Sequence, residues 1–423
     1  MSSPAESLPA TGLDTPAAGA NRWLRQRVLA GLSGLRQGQL RIVDGQGCVL
    51  LGTADGPDPI HATLTIHDPD FYRQVALGGS VGAGESYMDG QWSSDDLVAL
   101  VRLLVRNRDL LDGMEGGLAR LGGWALRAWH ALRRNTRSGS RRNIAAHYDL
   151  GNPLFRIFLD AEMMYSSAMF APGDTLDQAS QRKLARICAK LDLRPSDHLL
   201  EIGTGWGGMA LYAARHHGCR VTTTTISREQ HALATERVAR AGLADRVTVL
   251  LEDYRELRGR HDKLVSIEMI EAIGHQYLDT YFSRCAALLE PGGLALVQAI
   301  TIEDHRYEQA LRSVDFIKRH VFPGSFIPCV GAMTQSAARA GQLRLLNLED
   351  FGPSYAETLR HWRTRFLDRL DEVRGLGYDE RFVRMWEFYL CYCEGGFLER
   401  SISDVQLLFA RSDNRRAQYL PGL

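Results

Sequence analysis

The run EIGTGWGG, Glu201 to Gly208, follows an apolar stretch and precedes a helical one. It reads as a buried strand, a tight turn and a helix start. Gly203, Gly205 and Gly207 leave backbone uncovered, so a ligand can approach where no Cβ intrudes. The spacing is E-x-G-x-G-x-G, not the G-x-G-x-x-G of a dinucleotide turn, and Glu201 lies inside it. No phosphate-type lysine or serine follows. A cofactor with an amino-acid end and no pyrophosphate suits this chemistry, and S-adenosylmethionine is such a cofactor.

A glycine turn by itself is weak evidence, and three further stations carry the argument. TISREQ brings Thr225 and Gln230, the amide of which can reach ribose hydroxyls. EDYREL brings Asp253, which can accept from an adenine amino group, and Tyr254, which can pack on the ring. SIEMIEAIGH presents Glu268 and Glu271 towards the reaction side. Each station alone reads more readily as a surface loop. At successive strand ends, together, they imply a methyltransferase. A fifth stretch, EMMYSSAMF (162–170), sets two hydroxyls among apolar side chains and reads either as core or as a pocket wall.

The elements that must position these groups alternate. HLLEIG, CRVTTTTIS, RVTVLLED, DKLVSIEMI and GGLALVQAIT are β-rich runs separated by helical stretches such as Met209–His216 and Arg228–Ala241. That rhythm predicts an α/β, Rossmann-like domain with a mostly parallel, doubly wound sheet, binding ligands at strand C-termini. It spans 143–423, with a helical region from Tyr355 to Leu398 before a last strand, DVQLLFAR. A small α+β unit over 21–115 precedes it, built from short strands and a helix in SSDDLVALVRLLVRN opened by a serine cap. Between them, 116–142 carries seven arginines and no acid, with Trp124 and Trp129 interleaved. It suits an anionic membrane surface or an interdomain helix with a solvated face. Residues 1–20 are small and Pro/Ala-rich, without the charge and apolar core of a signal peptide, and read as a disordered tail.

Composition removes several classes. Zero net charge argues against a generally basic nucleic-acid binder, so no nucleic-acid partner is expected. Seven cysteines without paired spacing fit a reducing, cytoplasmic setting, and Cys391 and Cys393 form C-x-C without the second pair of a zinc site. No metal is expected. No apolar run approaches the ~20 residues that cross a bilayer.

The chain resembles the cyclopropane fatty acid synthase family, which includes mycolic acid cyclopropane synthases. The motifs are HYDLGNPLF (147–155), MMYSSAMF (163–170), EIGTGWGG, TISREQ, EDYREL, EAIGHQYLDTYF (271–282), HVFPG (320–324), FGPSYAETL (351–359) and YLCYCEGGF (389–397). GAGESYMDGQW (82–92) resembles the N-terminal domain of longer bacterial members, so the likeness runs from about residue 40 to 411.

The resemblance implies addition of a methylene from S-adenosylmethionine across the cis double bond of an unsaturated phospholipid acyl chain. It implies lipid-binding helical insertions, an enzyme peripheral to the inner face of the membrane, and it admits a homodimer. It further implies a bound bicarbonate base caged by Ser167, Glu271, Gln298, the Ile300 backbone and Tyr355, with Tyr165 and Ser166 at the methionine end of the cofactor. Two positions depart from the family, which has cysteine at 167 and histidine at 298. Gln298 cannot relay a proton. Proton loss from another carbon would then give a methylene- or methyl-branched chain in place of a ring. Cys393 falls where the family carries a cysteine once regarded as catalytic, although a thiol in an apolar helix reads as inert core. The rival readings are a methyltransferase of a soluble small molecule and a non-catalytic lipid-binding protein. Retained Glu271 and Tyr355 favour an enzyme.

Overall fold

The computed structural model describes residues 16–55, 58–110 and 150–415. The arginine-rich segment 116–142 and residues 1–15 of the expected tail lie outside the described residues. A four-stranded sheet of order β2-β1-β3-β4 is built from β1 (Gly38–Asp44), β2 (Gly47–Thr53), β3 (His61–Ile66) and β4 (Trp92–Ser94). Along β1, buried Leu40 and Ile42 alternate with exposed Arg41, the period of two that a half-buried strand requires.

Three helices accompany this sheet: α1 (Pro16–Leu32), α2 (Asp70–Met88) and α3 (Leu97–Arg106). Helix α1 begins inside the stretch expected to be tail. Leu24, Val28 and Leu32 recur every four residues on one face and join the core, so burial decides where composition alone suggested disorder. The cap of α3 is also corrected. Ser93 and Ser94 are drawn into β4 opposite Thr65 and Leu64, and Asp96 caps the helix by accepting from Ala99 N at 2.9 Å. Such a cap contributes about 1 kcal/mol.

The larger sheet has order β10-β11-β9-β8-β5-β6-β7. Its strands are β5 (His198–Ile202), β6 (Arg220–Thr225), β7 (Val247–Leu251), β8 (His261–Ile267), β9 (Leu289–Ile302), β10 (Leu343–Asp350) and β11 (Ile402–Arg411). Strands β5 to β9 pair in parallel, whereas β9–β11 and β10–β11 are antiparallel. β10 was not anticipated: a register shift between Leu345 and Asn347 interrupts the alternation that would have revealed it. From β5 the chain steps outward through β6 and β7, then returns to β8 on the other side. The crevice at the C-terminal ends of β5 and β8 is therefore the topological switch point.

Helices α4 (Asn152–Phe158), α5 (Leu176–Lys190), α6 (Gly208–His217), α7 (Arg228–Arg240) and α8 (Leu278–Ala287) accompany the parallel strands. Beyond β9 come α9 (Tyr307–Arg312), α10 (Val330–Gly341), α11 (Gly352–Leu367), α12 (Leu370–Gly375) and α13 (Glu380–Leu398). The two units share one apolar core. Phe71, Leu100 and Leu103 of the first belong to the same buried cluster as Phe155, Trp206, Trp362 and Trp386 of the second. Polar clamps fix the junction: Arg102 and Arg106 both hold Glu399 (2.6 and 2.7 Å), and Tyr87 donates to Glu387 at 2.8 Å.

Candidate active site

The turn after β5 has the geometry its glycines suggest. Gly203 and Thr204 donate backbone N–H groups to Thr224 O at 3.0 Å, tying the turn to β6. Gly205 sits at φ +51, and a Cβ added there would meet nothing within 4 Å, only the open crevice. Gly203, at φ +102, would bring a Cβ to 3.3 Å from Met269. Gly207 departs from its expected role. It does not line the cavity, and its Cβ would contact Ala234 at 3.4 Å, so it serves the helix start and packing. Glu201 is likewise not inside the turn but on β5.

One cavity of about 590 Å³ runs from this turn towards the N-terminal unit. Tyr165, Ser166, Glu201, Thr225, Gln230, Asp253, Tyr254, Glu268, Glu271, Ile300, Tyr355 and Cys393 all reach it, while Ser167 and Gln298 lie behind the wall. The EMMYSS segment is thus partly wall and partly core. Arg237 locks it in place by donating to Glu162 O (3.0 Å) and Trp206 O (2.7 Å) while pairing with the Glu162 carboxylate (2.8 Å). Tyr165 stacks on Trp362 and shares a 3.0 Å hydrogen bond with Tyr389. Ser166 Oγ accepts from the fully buried Lys183 Nζ at 2.7 Å. Sequence reasoning passed over Lys183, since a lysine on an amphipathic helix ordinarily faces water.

At the second and third stations the side chains are already oriented. The Thr225 hydroxyl donates to the Gln230 amide oxygen at 2.8 Å. Asp253 is held by Arg255 in a fork (2.9 and 2.6 Å), and Arg255 lies over the rings of Tyr254 and Tyr277. Arg255 is a second residue the sequence reading missed. Glu201 Oε2 and Tyr254 Oη, buried atoms of two residues that line the cavity, have no partner among the described residues. Open space at Gly205 and these two atoms fit a cofactor with both polar and aromatic ends.

The fourth station holds the main departure. Glu268 follows β8 with a left-handed backbone, φ +48, which turns its side chain into the expected cage. Its Oε1 accepts from Ser167 N (2.8 Å) and Gln298 Nε2 (2.8 Å), and its Oε2 accepts from Tyr355 Oη (2.8 Å). Donors that the resemblance assigned to a bicarbonate anion are therefore directed at a carboxylate of the chain itself. The Ser167 hydroxyl is not among them, because it donates to Ala168 O at 3.0 Å. Gln298 also donates to Asp404 (2.9 Å) and accepts from Gln406 (3.2 Å), a buried array at the position where the resembled family has an imidazole. Glu271 Oε1 accepts from Ile300 N at 2.6 Å, and Oε2 has no partner among the described residues.

Burial, and then the neighbouring charge of Glu268, pushes the Glu271 carboxyl up to about 8. Burial also raises Glu268, opposed by Lys183 and by its hydrogen-bond donors. Burial lifts Glu201 to about 8. Cys393 contributes a wall to the cavity, and burial raises its thiol, which keeps it protonated and a poor nucleophile.

These raised carboxyls have a pH signature. A folded value above the unfolded one means that stability from the group is complete below the unfolded value of about 4.5. It is lost as pH rises through about 8. The cofactor-free protein should therefore melt progressively lower between roughly pH 5 and pH 9. Glu201→Gln removes one such proton site and should flatten that decline. Equal slopes for both proteins in thermal melts across this range would refute the assignment.

A parallel sheet with this turn at its switch point, and with buried carboxylates beside a deep cavity, defines an S-adenosylmethionine-dependent methyltransferase of Rossmann-like fold. Residues 135–407 match the family described as mycolic acid cyclopropane synthetase, and the chain belongs to it. It is 41% identical over 367 residues to a tuberculostearic acid methyltransferase of Mycobacterium tuberculosis, covering 82% of this chain and 83% of that one. It is 38% identical over 352 residues to the cyclopropane-fatty-acyl-phospholipid synthase of Escherichia coli, covering 83% and 88%. Among solved structures, a mycolic acid cyclopropane synthase in complex with SAH and CTAB superposes with a TM-score of 0.60 at 28% identity, covering 64% of this chain and 98% of that one.

Proposed function

We propose that the enzyme methylates the double bond of an unsaturated phospholipid acyl chain and releases a branched chain, with Glu268 as the base. The observation that carries this reading is the convergence of Ser167 N, Gln298 Nε2 and Tyr355 Oη on the Glu268 carboxylate. S-adenosylmethionine, when bound, supplies the electrophilic methyl group. Gly203 and Gly205 would admit it, Glu201, Gln230 and Asp253 would meet its polar groups, and Tyr254 its ring.

An isolated alkene is a weak nucleophile, so the chain's part is to exclude water and align the reacting atoms. Tyr165, Trp206, Phe322 and Phe397 supply apolar walls. Once the π electrons form the new C–C bond, the adjacent carbon carries positive charge. In its ionised form, which its three donors and Lys183 favour against burial, Glu268 takes a proton from a neighbouring carbon, and the C–H electrons restore an alkene in the branched chain. Glu271, pushed up to about 8, stays protonated at neutral pH and avoids placing a second negative charge beside Glu268. This reading does not call on bicarbonate, since Ser167 N, Gln298 Nε2 and Tyr355 Oη are engaged by Glu268.

The relative named a tuberculostearic acid methyltransferase supports branching, and the one named a cyclopropane-fatty-acyl-phospholipid synthase supports the phospholipid. The arginine-rich segment 116–142 supports a substrate borne on an anionic membrane. No described helix is long and apolar enough to cross a membrane.

The test is incubation with mono-unsaturated phospholipid in anionic vesicles, with carbon dioxide removed. We expect a product one CH2 heavier whose NMR spectrum shows a branched alkene, formed at the same rate with or without added bicarbonate. A cyclopropane formed only with bicarbonate would overturn the base assignment. Methylation of soluble small molecules, with none of lipid, would overturn the substrate.

A further inference from the structure

The active-site cavity does not end at the catalytic domain. Leu97, Leu100, Val101 and Leu104 stand at positions i, i+3, i+4 and i+7 of α3, and all four line it, together with Val105 and Arg108. Opposite them stand Phe388, Tyr392 and Gly396 of α13. The two helices approach closely: a Cβ on Gly395 would lie 2.6 Å from Val101 Cγ1. Helix α3 belongs to the N-terminal unit and precedes the family match, which begins at residue 135. The wall is thus an addition to the shared catalytic region.

Leu103, on another face of α3, is completely buried in the core, and Arg102 and Arg106 are clamped on Glu399, so the helix is rigidly seated. The far end of its cavity-facing row is polar. Arg108 pairs with Glu303, and Arg306 approaches Asp109 at 3.8 Å; both arginines line the cavity and are partly exposed. An apolar wall running from a buried base to an arginine-bearing rim suits an acyl chain anchored outside by an anionic headgroup. A methyl terminus would gain nothing beside two guanidinium groups.

We infer that α3 is a ruler: the acyl segment between the ester and the double bond lies along it, and the lipid phosphate meets Arg108 and Arg306. The helix is about 15 Å long at 1.5 Å per residue. That length sets how far from the headgroup a double bond must lie to reach Glu268. The N-terminal unit thereby selects double-bond position, and chain length beyond the double bond matters less to it. This inference rests on the phospholipid reading above, and failure of that reading would show as absence of lipid methylation by the unaltered enzyme.

The experiment compares phospholipids whose double bonds lie at different distances from the ester, and a second series differing only beyond the double bond. Leu104→Phe and Val105→Phe, at half-buried positions that line it, narrow the cavity without touching the cofactor turn. Each should change the kcat/KM ratio between positional isomers by about 10-fold or more, the scale on which a pocket registers a methylene. The second series should keep its order of preference, and S-adenosylmethionine affinity and melting temperature should match the wild type. Leu104→Ala, at a half-buried position, should shift the ratio the opposite way, which guards against variants that fail to fold. Arg108→Gln with Arg306→Gln should raise KM for phospholipid and leave KM for the same acyl chain as a methyl ester unchanged. A changed preference in the second series alone would place the methyl end along α3 and overturn the ruler. Unchanged preferences in both series would remove α3 from the acyl path, and equal KM changes for phospholipid and methyl ester would remove the phosphate contact.

Discussion

Glu268→Gln should lower turnover by about 10²-fold or more, the usual contribution of a general base, while leaving S-adenosylmethionine affinity unchanged. The substitution keeps the size of the side chain and most of its contacts but removes the group that takes the proton. Glu268→Gly extends the test. At φ +48 glycine fits the backbone better than glutamate, so the fold should survive. The variant leaves Ser167 N, Gln298 Nε2 and Tyr355 Oη facing a space the size of a carboxylate. Added bicarbonate should then restore activity to Glu268→Gly while having no effect on the wild type. Turnover measured against bicarbonate in buffer freed of carbon dioxide reads both outcomes. If Glu268→Gln turns over like the wild type, proton removal belongs to another group, and Glu271 would be the next to replace.

Gly205→Val should abolish cofactor binding in a folded protein. Two effects act together. The backbone at φ +51 is strained for a β-branched residue, and the new side chain would project into the open crevice at the turn. Titration calorimetry against S-adenosylmethionine, with a thermal melt as the control for folding, gives the answer. Unchanged affinity would remove the cofactor assignment and with it the methyltransferase reading of the turn. Gly207→Ala is the contrasting case: its Cβ would meet Ala234 at ordinary contact distance and not the ligand, so it should cost stability and spare affinity.

Most of the catalytic domain was legible because its signals are local. Five β-rich runs, their intervening helices and the stations at their ends sit at the positions the residue patterns indicate. The stations Thr225, Gln230, Asp253 and Tyr254 reach one cavity because parallel strands place all their C-termini on one edge. What misled was also physical. Composition at 16–20 suggested a tail, but an apolar row further along α1 gave the helix something to bury. The serines before α3 had the right type for a cap, yet sheet pairing claimed them first. Arg255 and Lys183 were missed because a long cationic side chain declares its partner only in three dimensions.

The sequence alone determined that the chain folds as a doubly wound methyltransferase, since period-two strands, helical runs and glycine turns follow from backbone sterics and local burial. The resemblance also named Ser167, Gln298 and Tyr355, whose donors meet at Glu268, and Glu271 and Ile300, which pair with each other. Which group those donors meet was decided only by the tertiary structure. Glu268 enters the cage through a left-handed backbone and hydrogen bonds to residues distant in sequence. The same holds for the wall that α3 lends to the cavity. A helix of leucines and valines reads as core from its own pattern, and only its seat against α13 shows that one of its faces borders open space. Local propensities are properties of neighbours along the chain. The content of a cavity is a property of which surfaces remain when distant segments have packed.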